Sequence, residues 1–212
     1  MSNTKKLLNH KDGLKLTPLQ RSALIGLMLG DGHLETQNEG KTYALRIEQS
    51  VKHEPYVTHL YELFKDWVTT PPHYKFKEKG KNIAFRTVAH SSLRFYAQLF
   101  YEGKKKVVPK NPHKYFDDIA LAYWYMDDGA LKGKNRSGKR LHTEGFTQAE
   151  VNCLCEELNL YGIECTIQKQ NKKKPDGSIK TYYILYITAK GDKVLTEKIR
   201  EYVLPCFLYK LD

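Results

Sequence analysis

Two stretches of the chain are apolar without a break, and both end on an aspartate followed by glycine. Residues 23–32 read ALIGLMLGDG and residues 119–129 read IALAYWYMDDG. A helix that is apolar all round is buried all round, so the pattern predicts two interior helices. Thr17, Pro18 and Gln20 supply the N-cap, N1 and N3 positions of a capping box, which places the first helix at about residues 18–30. Asp117 and Asp118 favour the start of the second. Gly32 and Gly129 stand where the helices end, Gly32 as a left-handed terminator.

The segments behind the two apolar helices repeat as well. Residues 42–51 alternate Tyr43, Leu45 and Ile47 with Arg46, Glu48 and Ser50, a strand with one buried face. Residues 53–67 carry Tyr56, Leu60, Leu63, Phe64 and Trp67 at helical spacing, 73–88 read as a hairpin turning near Lys79-Gly80, and 92–101 as a helix. In the second half the strand falls near 140–145, the helix at 147–162, the hairpin at 164–188 around Pro175-Asp176-Gly177, and a last helix at about 193–203. Each half reads helix, two strands, helix, two strands, helix. The fold class is therefore α+β: two αββαββα halves with antiparallel sheets, residues 1–112 and 113–212, related by a pseudo-twofold and packed through their buried helices. Gly26 and Gly30 allow a close approach there, and Tyr123 and Asp127 hold the matching places on the second helix, so small faces large.

Composition adds the partner. The chain has 212 residues, 41% hydrophobic, and 35 Lys and Arg against 24 Asp and Glu leave +11. A basic surplus of that size, with many tyrosines, favours a polyanion. No apolar run reaches the ~20 residues of a membrane-spanning helix, and MSNTKKLLNHKDG lacks the apolar region of a secretory signal; the expectation is an intracellular protein, neither secreted nor membrane-bound. Cys153 and Cys155 point to opposite sides of a helix, a poor zinc pair, and the four cysteines read as reduced thiols.

The aspartates carry the chemistry. A helix C-terminus bears about −0.5 charge, which disfavours a carboxylate there. A cation removes the objection. If the two helices pack side by side, Asp31 and Asp128 arrive together with carbonyl oxygens of the last turns, Gly30 among them, and with the adjacent Asp127. Two carboxylates so close need compensation, and oxygen ligands with positions left for water and phosphate suit Mg²⁺, with Mn²⁺ as a substitute.

LIGLMLGDG (24–32) and LAYWYMDDG (121–129) resemble the two signature motifs of the LAGLIDADG homing endonucleases, and the resemblance covers nearly the whole chain. It implies that the motif helices form the interface between the halves, that Asp31 and Asp128 bind divalent metal at the cleavage centre, and that two motifs in one chain make a monomer. LAYWYMDDG together with KKVVP and a C-terminal YKL is particularly similar to monomeric intron-encoded organellar members, which places the protein in a mitochondrion or chloroplast if it is organelle-encoded. Leu29 and Met126 depart from the motif where many members carry an earlier aspartate, as does Tyr123 at a small position.

Phosphodiester hydrolysis also needs charge at its transition state. Lys106 follows Asp31 by 75 residues and Lys210 follows Asp128 by 82, and the resemblance implies such basic residues near each scissile phosphate. Glu48 and Glu144, late in matching strands, are candidates to hold metal-bound water or simple exposed strand residues. Antiparallel ribbons fit the DNA major groove, and Arg46, Lys75, Lys77, Arg86, Arg140, Lys169 and Lys180 fall on the strands, with Lys79, Lys81, Lys132, Lys134, Arg136, Lys139 and Lys172 to Lys174 in loops. These readings converge on a site-specific, metal-dependent double-strand DNA endonuclease with a long non-palindromic target, promoting intron mobility. The alternatives are an intron maturase whose partner is intron RNA, and a DNA-binding regulator that does not cut.

Overall fold

A computed structural model describes residues 11–78, 80–133 and 138–212. The first half runs α1 (Pro18–Leu29), β1 (His33–Glu35), β2 (Ala44–Ser50), α2 (Glu54–Leu63), β3 (His73–Lys77), β4 (Gly80–Arg86) and α3 (Arg94–Phe100), then a short ribbon of β5 (Tyr101–Glu102) and β6 (Lys105–Lys106). The second runs α4 (Asp118–Asp128), β7 (Gly129–Leu131), β8 (Lys139–Leu141), α5 (Gln148–Leu160), β9 (Cys165–Lys173), β10 (Ile179–Ile187) and α6 (Ala189–Ile199), and leads into a 3₁₀ segment, Pro205–Lys210. Each half therefore holds the αββαββα order that the sequence pattern predicts. Its sheet is antiparallel in the order β1-β2-β4-β3 in one half and β7-β8-β10-β9 in the other.

The helices begin where capping chemistry puts them. Thr17 and Gln20 close a reciprocal capping box on α1, and the Asp117 carboxylate accepts from the Ala120 amide at 2.7 Å at the start of α4. Every residue from Ala23 to Leu29 and from Ala120 to Met126 is buried, because α1 and α4 pack on each other while their other sides meet the sheets. Burial of each large apolar side chain contributes about 1.5–3 kcal/mol, and the resulting core runs through both halves.

Small does face large at that contact. A Cβ on Gly26 would lie 2.2 Å from the Ala120 carbonyl oxygen and 2.7 Å from the Tyr123 Cβ, and one on Gly30 would lie 2.4 Å from Asp127 Oδ2. At Gly26 the facing backbone leaves no room for a side chain, and at Gly30 the Asp127 side chain fills the space.

Several details depart from the sequence expectation. Gly32 is not left-handed: its N–H reaches back to the Leu27 carbonyl at 2.7 Å, and a Cβ there would lie 2.7 Å from the same oxygen. Close approach requires the glycine. The three-residue strands β1 and β7 are too short to show a period. Strand β8 starts and stops earlier than the alternation suggests, because the Thr143 hydroxyl, two residues beyond it, turns to the Tyr183 carbonyl at 2.7 Å. Helix α6 starts four residues early, because Thr188 caps it through the Gly191 amide at 3.2 Å. The four cysteines are free thiols, with Cys155 and Cys165 sulfurs 3.2 Å apart. No helix among the described residues is long and apolar enough to cross a membrane.

Candidate active site

The paired helices α1 and α4 end side by side, so three carboxylates meet at their C-termini. Asp127 crosses between the halves: one oxygen accepts from the Asp31 amide at 2.9 Å and the other from the Tyr56 hydroxyl at 2.8 Å. Gln49 Nε2 donates to Asp31 Oδ2 at 2.8 Å. Asp128 lines a cleft of about 260 Å³ with Leu29, Gly30, Lys106, His142 and Glu144. Burial, then the charges of Asp127 and Asp31, push the Asp128 carboxyl up to about 8. Burial, then Asp31, push Asp127 up to about 7. Both are held far above the ordinary carboxylate range, as expected where negative groups crowd at a helix C-terminus.

Each half sends one lysine to the same place. Lys106 Nζ donates to the Gly30 carbonyl at 2.5 Å, and Lys210 Nζ donates to the Met126 carbonyl at 2.6 Å, with Asp127 O at 3.5 Å. The lysines thus cap the unpaired carbonyls of the two motif helices and oppose their dipoles. Burial lowers both ammonium pKa values, and the three aspartates pull them back up. The delivery differs. Lys106 comes from the ribbon in which Tyr101 pairs with Lys106 and Glu102 with Lys105, whereas Lys210 ends the 3₁₀ segment.

The donor set suits a hard divalent cation. Asp127 uses both oxygens on protein donors and the Gly30 carbonyl accepts from Lys106, which leaves the exposed Asp31 and the cleft-lining Asp128. Among the described residues no three His, Cys, Asp or Glu side chains form a cage. Two carboxylates leave the remaining positions of such a cation to water and phosphate.

The two strand glutamates part company. Glu48 sits on the polar face of its sheet, held by Arg46 at 2.8 Å, Lys75 at 3.1 Å, Lys77 at 2.5 Å and Asn82 at 2.9 Å, and these contacts hold its carboxyl far below the usual range. It is one residue out of phase with the aspartate, and Gln49 takes that place. Strand parity carries the signal: Leu45 and Ile47 face inward, so Gln49 follows them while Glu48 does not. Register also separates Glu48 from Glu144. Arg46 pairs with His33 and Arg140 with Ala130, each two residues past its motif aspartate, so the counterpart of Glu48 is His142. Glu144 itself lines the Asp128 cleft and lies 3.1 Å from His142 Nδ1.

On the first sheet, register places Arg46, Arg86, Lys75 and Lys77 on one polar face with Glu35 and Glu48; Glu35 contacts Arg86 at 2.5 Å and Arg46 at 3.7 Å. On the second, Arg140, Lys172 and Lys180 share a face with Tyr182 and Tyr186. Lys180 and Lys172 lie 4.6 and 5.2 Å from the Tyr182 ring centroid, and Lys132 lies 3.9 Å from that of Tyr186.

Two of the basic residues project from the other side. Lys81 pairs with Phe76 and lies 3.4 Å over the Tyr74 ring, and Lys169, opposite Tyr183, shares the parity of the buried Leu185. Both corrections follow from the period of two. Lys139 is no surface residue at all: it is 1% exposed and binds Asp192 and the Leu211 carbonyl. Lys79, Lys134 and Arg136 lie outside the described residues.

Residues 21–195 match the family of LAGLIDADG DNA endonucleases. The chain is 32% identical to "Probable intron-encoded endonuclease 1" of Wickerhamomyces canadensis, across 99% of this chain and 91% of that protein. It is 31% identical to "DNA endonuclease I-ChuI" of Chlamydomonas applanata, across 93% and 96%. It is also 31% identical to "Cytochrome b mRNA maturase bI2" of Saccharomyces cerevisiae, across 100% of this chain and 51% of that protein. The fold superposes on the homing endonuclease I-WcaI bound to its DNA recognition sequence with a TM-score of 0.85 and 27% identity, covering 100% of this chain and 94% of that one.

Proposed function

The chain belongs to the LAGLIDADG DNA endonuclease family, and we propose that it is a monomeric, Mg²⁺-dependent endonuclease that cuts both strands of a long, non-palindromic DNA site and so promotes the mobility of its intron. One observation carries the reading: two carboxylates from separate halves, Asp31 and Asp128, meet at paired helix ends with a lysine from each half beside them. Two reaction centres related by a pseudo-twofold match the two strands of a duplex.

In this reading Asp31 and Asp128 would hold a divalent cation, which would supply Lewis-acid chemistry at the scissile phosphate and a more acidic attacking water. Asp127 fixes the Asp31 backbone from the opposite half. Gln49 orients the Asp31 carboxylate, and Glu144 with His142 lines the water-accessible side of Asp128. Lys106 and Lys210 bring positive charge to the transition state of one strand each. The polar faces of the two sheets contact the major groove, with Arg46, Arg86, Lys75, Lys77, Arg140, Lys172 and Lys180 as the contact residues and Lys132 beside them. An organellar intron would place this work in the mitochondrion or chloroplast.

Selection of cleavable duplexes from a random library in Mg²⁺ tests activity and target together. A defined site, cut on both strands by a protein that sediments as a monomer, is expected. Sequence-specific binding with no cleavage in Mg²⁺ or Mn²⁺ would favour a regulator instead. The likeness to an mRNA maturase supports a second activity on intron RNA, which splicing assays with the purified chain would reveal as faster splicing.

A further inference from the structure

The most buried cation of the described chain lies outside the cleavage centre. Lys139, on the core-facing side of β8 beside Leu141, points inward and meets Asp192 in the first turn of α6. Its second contact is the carbonyl of Leu211, at 2.9 Å, one residue past Lys210. The Tyr125 hydroxyl, from inside α4, donates to the Lys210 carbonyl at 2.6 Å. Two buried donors therefore grip the consecutive carbonyls of Lys210 and Leu211. Upstream the same segment is seated by the Phe207 ring, which stacks on His53 at 5.5 Å and meets Tyr56 edge-on at 5.0 Å, and by the Leu204 amide on Met126 Sδ.

A buried ammonium is costly unless it is paired and fully bonded, and a hydrophobic residue at position 139 would fill the core more simply. What Lys139 does that an apolar residue could not is bind a carbonyl just past a 3₁₀ segment, where no regular helix would hold it. Lys106 has no such need, since the β5–β6 ladder fixes its backbone. Resting on the endonuclease reading above, we propose that Lys139 and Tyr125 form a latch on the C-terminal segment and are positioning residues for Lys210, so that they govern the cutting of one strand and not of the other.

The experiment uses the full chain, strand-specific end labels on a duplex selected for cleavage, and hydrogen exchange over residues 205–212. Tyr125→Phe removes one oxygen and leaves the core packing; Lys139→Met, alone and with Asp192→Asn, removes the other grip. Each variant should slow the strand that Lys210→Met slows, by ~10-fold, while the other strand and duplex affinity stay within about twofold. In a Lys210→Met background Tyr125→Phe should add nothing, because the effect runs through the lysine. Exchange should rise in 205–212 and stay level in β5 and β6.

Equal slowing of both strands, full additivity with Lys210→Met, or unchanged exchange in the terminal segment would each overturn the latch. A wild-type protein that cuts no duplex would instead defeat the endonuclease reading, while the exchange data would still decide whether the grip exists. Should Lys139→Met fail to fold, Tyr125→Phe decides the matter alone.

Discussion

The two halves share the αββαββα order and the same sheet order yet solve the same two problems with different chemistry. Each must bring a lysine to the end of its motif helix, and each must present a basic face without driving its own cations apart. The first half uses a two-strand ladder for the lysine and glutamates for the face: Glu48 and Glu35 bind Arg46, Arg86, Lys75 and Lys77. The second half uses a gripped 3₁₀ segment and tyrosine rings. Pseudo-symmetry therefore constrains what meets at the axis, the helix ends and their aspartates, and leaves the periphery free to diverge. A long target read by two unlike faces is the natural consequence.

The strongest test of a shared centre lies at the axis. Asp31→Asn or Asp128→Asn should each depress cleavage of both strands on the order of 10³-fold, the several kcal/mol that metal-assisted charge stabilisation supplies, while duplex affinity falls little. Single-turnover assays with labelled strands would show it. Normal cutting of either strand by either variant would mean that the halves keep separate metal sites.

The lysines should divide what the aspartates share. Lys106→Met and Lys210→Met should each slow one strand by ~10²-fold, accumulate nicked plasmid, and nick opposite strands. Loss of both cuts in each variant would reduce the lysines to helix caps.

At the helix contact the asymmetry is steric. Gly26→Ala brings a methyl within 2.2 Å of the Ala120 carbonyl and should destabilise the fold by about 1–3 kcal/mol, read by denaturant unfolding. Trimming Tyr123 to alanine should not rescue it, since the obstacle is backbone; rescue would show that the side chain sets the spacing.

The carboxylates at the axis also predict how stability depends on pH when metal is removed. Asp128 is raised to about 8 and Asp127 to about 7, so across roughly pH 4–8 the folded state binds more protons than the unfolded one, whose aspartates titrate near ~3.9. Stability must then fall as pH rises through that window. Metal-free melting should drop by several degrees, at about 2–4 °C per kcal/mol for a chain of this size. Mg²⁺ should restore more at pH ~8 than at pH ~6, and Asp128→Asn should flatten the profile. A melting temperature that climbs with pH in EDTA would contradict the crowding.

The axis was the legible part of the molecule. Uninterrupted apolar helices ending on Asp-Gly announce burial and a misplaced charge at once, and Lys106 and Lys210 follow from similar spacing behind them. What escaped were residues whose role depends on which side of a strand they occupy. Glu48 and Glu144 look equivalent by letter, yet ladder register separates them, and Gln49 emerges only from parity. Lys81 and Lys169 carry the right charge on the wrong side. Lys139 reads as surface by charge and as core by its alternation with Leu141, and the alternation is what burial obeys. Gly32 reads as a left-handed terminator by type, whereas its requirement comes from an oxygen five residues back.

The smallest effect separates the two polar faces. Glu48 holds three cations of the first sheet, each such partly exposed pair stabilising by about 0.2–1 kcal/mol, and in the proposed complex its negative charge would face the phosphates that those cations meet. Glu48→Gln should therefore tighten binding to random-sequence duplex several-fold at low salt and steepen the salt dependence by about one counterion, at the expense of discrimination for the selected site. On the second sheet tyrosine rings hold the lysines, and Glu144 comes no nearer to Lys172 than 3.9 Å. Lys172→Gln should there do the reverse, weakening binding and flattening the salt slope by a similar amount. Titrations at several salt concentrations, with specific and random duplexes, compare the two directly. If Glu48→Gln weakened binding to every duplex, the carboxylate would be organising its cations for contact, and the two faces would be closer in kind than their chemistry suggests.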